Sequence, residues 1–118
     1  MRYLFVTLAL TLSFQSNASI WEQVNRANVK IECPNVIIFS EHKYRMLNDC
    51  YGHDPRDPIM ETGDFEKGEN SLTLTNRKVK VDDLFTHRED IQFELLRSSN
   101  SIQLRNSERS YYFTVRIE

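Results

Sequence analysis

The run CYGHDPRDP (residues 50–58) gathers groups that could do chemistry. His53, Asp54 and Asp57 could offer nitrogen and oxygen ligands to a metal, or work as a general acid–base pair. A competing reading needs no ligand: aspartates before prolines hydrogen-bond their own backbone and start turns. No further partner stands at motif spacing, so the run reads as a loop. His42 and His87 lie apart from it, without a zinc-protease or nucleophile–base signature. Ser71 and Ser110 lack a glycine elbow, and Gly52, Gly63 and Gly68 read as turn residues or a strand kink, not a phosphate loop. No catalytic residue, metal ligand or cofactor is therefore assigned, and the chain reads as a non-enzyme.

The cysteines carry a different kind of chemistry. Cys33 and Cys50 are the only two in the chain and flank a strand-like run. Residues 1–18 read as a cleaved signal peptide. Arg2 supplies a positive charge, LFVTLALTL is an apolar core, and Ser16 and Ala18 stand where a signal peptidase reads. The apolar run is shorter than the roughly 20 residues of a membrane anchor. Cleavage between Ala18 and Ser19 implies a periplasmic or secreted product without a stable membrane anchor. In such an oxidising space the two thiols are expected to pair. Closing a loop of about seventeen residues contributes roughly 3 kcal/mol by the chain-entropy estimate.

The composition limits the partners. The chain has 118 residues, with 15 Lys+Arg and 17 Asp+Glu. Loss of Arg2 leaves the mature chain, residues 19–118, at about −3, without the clustered basic surface of a nucleic-acid-binding protein. One domain of this size holds a thin core, so a disulfide would matter.

The elements that must position these groups follow from period two. Residues 19–28 could form one or two helical turns, with Ile20, Trp21 and Val24 on one face, or an irregular segment plugging the core with Trp21. Val29, Ile31 and Cys33 alternate with Lys30 and Glu32 as a strand. Residues 36–39 are a continuous apolar run, and Tyr44, Met46, Asn48 and Cys50 share one side of the next strand after a turn at 40–43. Residues 59–66 and 71–81 form a hairpin whose turn, 67–70, offers Gly68 for positive φ. Residues 82–90 hold a short helical turn or a lid-like loop. Three strands close the chain: Ile91, Phe93 and Leu95; Ile102 and Leu104; and Tyr111, Phe113, Val115 and Ile117 point inward. The expected fold is all-β, a small antiparallel barrel or sandwich of seven or eight short strands with one disulfide.

The stretch from Tyr44 to Leu74 resembles small bacterial lipocalin-like barrels, namely META domains and the N-terminal barrel of NlpE-type copper-homeostasis lipoproteins. Tyr44 with Leu47 nearby, then Glu61, Gly63 and Phe65, then Asn70, Leu72 and Leu74 match their successive strand patterns. The resemblance spans about half of the mature chain and implies a barrel. The lipoproteins' CxxC pair and lipid-bearing cysteine are absent, so no metal or signalling role carries over.

The functional expectation is a binding domain of the bacterial cell envelope, of inhibitor or immunity type, whose partner is an envelope or secreted protein. Contact residues are expected at 52–58 and 81–90, as binding groups concentrate on loops of a rigid scaffold: His53, Asp54, Arg56, Asp57, His87 and Arg88. Tyr112 and Arg116 add an outward aromatic–arginine pair of the kind that dominates interfaces. The alternatives are a small-molecule or lipid carrier, which Phe39, Tyr44, Phe65, Phe93 and Phe113 would disfavour by filling the barrel, and a hydrolase using His53 and neighbouring carboxylates.

Overall fold

The computed structural model describes residues 18–48, 50, 59–80, 85 and 90–117. Eight strands follow one another: β1 (Ala18–Gln23), β2 (Val36–Ser40), β3 (Lys43–Leu47), β4 (Ile59–Lys67), β5 (Ser71–Val79), β6 (Ile91–Ser98), β7 (Ser101–Arg105) and β8 (Ser110–Ile117). Each pairs antiparallel with its sequence neighbour, and β8 pairs with β1, closing a barrel in simple meander order. Closure leaves no sheet edge open. It also decides the fold class between the two expected architectures.

Period-two alternation produces the core. Phe39, Tyr44, Met46, Leu72, Leu74, Phe93, Leu95, Ile102, Leu104, Tyr111 and Phe113 are buried together with Trp21. Aromatic rings occupy both parts of the interior. Trp21 packs tilted against Phe39, ring centroids 4.6 Å apart, and Phe39 meets Phe65 edge-on, while Phe85, Phe93 and Tyr111 form a second edge-to-face cluster.

Five local expectations are corrected. The N-terminal segment is strand, not helical turns: Ala18–Gln23 bridges β2 and β8. A lone helical turn is marginal in water, whereas the barrel supplies this segment with two strand partners. Residues 29–33 form no strand. The Asn25 side-chain oxygen accepts from the amides of Ala27 and Val29, Asn28 takes φ 62°, and only a Val24–Lys30 bridge survives. Val29 is exposed. This is an asparagine offering the backbone an alternative to the ladder. Cys50 does not share the buried face of Tyr44, Met46 and Asn48. Strand β3 stops at Leu47, because the Asn48 side-chain oxygen accepts the Cys50 amide two residues on. At 67–70 Gly68 keeps a negative φ, so the turn does not use its left-handed freedom; a Cβ there would meet Ser71 Oγ at 2.5 Å. Ile117, expected inward, lies 55% exposed past the core.

The disulfide joins Cys33 to Cys50 with Cα atoms 5.3 Å apart. It lies beyond the Val36–Leu47 end of the β2–β3 ladder, opposite the Glu41–His42 turn. Asn48 supports it from inside by donating to the Cys33 carbonyl and to Asn35 Oδ1.

Candidate functional site

Strands β3, β4 and β5 carry an ion pair into the largely apolar interior. Arg77 binds Glu61 through two bonds, Nε to Oε2 at 2.9 Å and Nη2 to Oε1 at 3.0 Å. Tyr44 donates its hydroxyl to the same Oε2 at 2.5 Å. Both charged side chains are buried, at 0% and 2% exposure. The Phe85 ring covers the guanidinium at 5.7 Å. Burial, and then the hydrogen bond to Glu61, pushes the Tyr44 phenol well above the usual tyrosine range, so it stays a neutral donor. A fork-on-fork pair whose carboxylate also has a third donor is the geometry in which a buried ion pair recovers most of its desolvation cost.

Two β-bulges create this arrangement. Between Met46 and Leu47 the facing strand β4 spends an extra residue, Met60. Opposite Thr62–Asp64, β5 spends an extra residue at Asn76, which adopts φ 52°. Strict alternation from Leu72 and Leu74 would turn Arg77 outward. The extra residue reverses the parity and aims Arg77 at Glu61. Gly63 sits opposite the second bulge. A Cβ there would stand 2.7 Å from the Tyr44 ring and 2.9 Å from the Thr75 carbonyl, so only glycine lets Tyr44 lie across β4 to reach Glu61.

The outer face of the same three strands holds a groove of about 800 Å³. Bulged strands bend and twist more strongly, and the groove lies over the second bulge, at Asn76. Cross-strand pairing sets its lining in two rows. One runs Ile38, Arg45, Thr62, Lys78; the other runs Ser40, Lys43, Asp64, with Asn76 at its end. In the second row Lys43 bonds one Asp64 oxygen and Asn76 the other. These two contacts hold the partly exposed Asp64 carboxyl below the usual aspartate value.

Of the residues expected to bind a partner, Tyr112 lies half-buried on the outer face in a second, smaller groove of about 250 Å³ with Arg26, Leu96 and Gln103. Arg116 does not join it; its guanidinium lies 3.5 Å from Glu22 and is half exposed. His53, Asp54, Arg56, Asp57, His87 and Arg88 lie outside the described residues. Among the described residues, no three His, Cys, Asp or Glu side chains gather closely enough to hold a metal ion.

The sequence reading missed the Tyr44–Glu61–Arg77 network and the groove above it. Asn76 was the available signal: an asparagine amid a strand, one of the few residue types that enter the left-handed region, placed just before an arginine. No family model matches the chain, and neither a curated protein nor a solved structure matches it.

Proposed function

We propose that this protein is an exported, non-enzymatic barrel of the bacterial cell envelope that binds a protein partner, as an inhibitor or immunity protein does. The observation that carries the reading is the occupied interior. Trp21, Phe39, Tyr44, Phe85, Phe93, Tyr111 and Phe113 pack into one buried cluster inside the barrel, joined by the buried Glu61–Arg77 pair. A small eight-stranded barrel either packs its own side chains inside or leaves room for one small ligand. This interior favours the first, and a binding role then falls to the outer surface and rims. The meander order supports a lipocalin-like architecture, while the packing counts against a lipocalin-like carrier.

The Cys33–Cys50 bond supports an oxidising location. Strand β1 starts at Ala18, so a cut before Ser19 would remove the leader and leave Trp21 in place. The test is native mass spectrometry and cross-linking of protein recovered from the envelope. The expected species begins at Ser19, lacks the two thiol hydrogens, carries no small molecule and forms one dominant protein adduct. A copurifying lipid, or no adduct at all, would overturn the reading.

A further inference from the structure

We propose that the groove over β3–β5 receives an extended acidic segment of the partner protein, with carboxylates at alternate positions seated on Arg45 and Lys78. The inference rests on the partner-binding reading and adds the chemistry of the partner.

Charge complementarity carries it. The groove has three cations, Lys43, Arg45 and Lys78, and one carboxylate, Asp64. Lys43 and Asn76 already satisfy Asp64. Arg45 and Lys78 are both exposed, and among the described residues neither side chain forms an ion pair or hydrogen bond, Lys78 acting on Asp64 only through space. They flank Thr62 in one cross-strand row, since Arg45 pairs with Thr62 and Thr62 with Lys78. Strand spacing puts the two backbones about 10 Å apart. Same-face residues of an extended peptide recur about every 7 Å, which two long, flexible cationic side chains can bracket. Ile38 ends the row with an apolar contact beside Arg45.

The rigid floor gives the site definition. Tyr44, Glu61 and Arg77 tie β3, β4 and β5 together from inside, each strand contributing one member. Arg45 and Lys78 are thus held on strands locked to each other, which lowers the ordering cost of binding. Among the described lining residues the one aromatic, Tyr44, is buried, so no exposed ring offers a sugar a stacking surface, and a peptide is favoured over an anionic glycan.

The experiment titrates isotopically labelled, disulfide-bonded protein, expressed with its leader, with a synthetic hexapeptide carrying glutamate at alternate positions. Controls are the matching glutamine peptide and a uronic-acid oligosaccharide of equal charge. The expected result is amide shifts centred on Arg45, Thr62 and Lys78, affinity that falls as salt rises, and a loss of about tenfold or more in R45E/K78E. Tight binding of the oligosaccharide in preference to the peptide would overturn the peptide assignment. Equal shifts with the glutamine peptide, or binding unchanged in R45E/K78E, would overturn the site. Cross-linking of R45E/K78E in the envelope separates the two levels. A retained partner adduct with no peptide binding rejects the acidic segment alone, whereas no adduct from either protein rejects partner binding itself.

Discussion

The two halves of the barrel wall are built differently. Strands β6, β7 and β8 pair without a register shift, and their inward residues, Ile91, Phe93, Leu95, Ile102, Leu104, Tyr111 and Phe113, are all apolar or aromatic and buried. Charge on that side stays at the surface, as in the exposed Arg105–Glu94 pair. Strands β3, β4 and β5 carry two bulges, a buried ion pair and a glycine pressed against a tyrosine ring. Regular alternation is enough to build a wall. Departures from it re-aim side chains, and here the one at Asn76 coincides with the larger of the two grooves described.

The contrast breaks first at the ion pair. Removing one partner of a buried pair costs about 3–5 kcal/mol, so Glu61→Ala or Arg77→Ala is expected to lower the chemical-denaturation midpoint more than any other single change considered. Replacing both, as Glu61→Leu with Arg77→Met, is expected to recover most of that loss. The same network has an alkaline signature. The folded protein holds the Tyr44 proton above pH 10 while the unfolded chain releases it near the ordinary value of 10.0. Stability from this group is therefore fully present below about pH 10 and falls as pH rises beyond it. Tyr44→Phe should flatten that alkaline limb.

Next comes the disulfide. Cys33→Ser with Cys50→Ser is expected to cost roughly 3 kcal/mol, read by urea titration of the purified protein. Gly63→Ala forces a methyl group against the Tyr44 ring and a backbone carbonyl, with an expected loss of about 1–3 kcal/mol. It should also perturb amide resonances on both sides of β4. The smallest effect sharpens the comparison from the other side. Glu94→Gln breaks a half-exposed pair and is expected to change stability by less than about 1 kcal/mol.

The regular half was legible in the chain. Ile91, Phe93, Leu95, Ile102, Leu104, Tyr111 and Phe113 declare their inward face by period two, and short connections at 99–100 and 106–109 separate the strands. Two cysteines, the only two in the chain, after an apolar N-terminal run also made the Cys33–Cys50 bond readable. The irregular half was not, because a bulge reverses parity at one residue and leaves no mark in a hydrophobic pattern. Arg77 reads as a solvent-facing residue until Asn76 is known to be the extra one. Helical spacing of Ile20, Trp21 and Val24 misled in the opposite way: the segment has strand partners on both sides, a long-range fact that no local pattern encodes. Tyr112 was correctly placed on the outer face, but the larger groove lies across the barrel wall from it.

The central claim is that the partner meets the outer face of β3–β5. A photo-reactive amino acid placed at Thr62, in the middle of that groove, and separately at Gln103, on the outer face of the regular half, tests this directly in the living envelope. The account predicts a single protein adduct from position 62 and none from position 103. An adduct from position 103 with none from position 62 would contradict it.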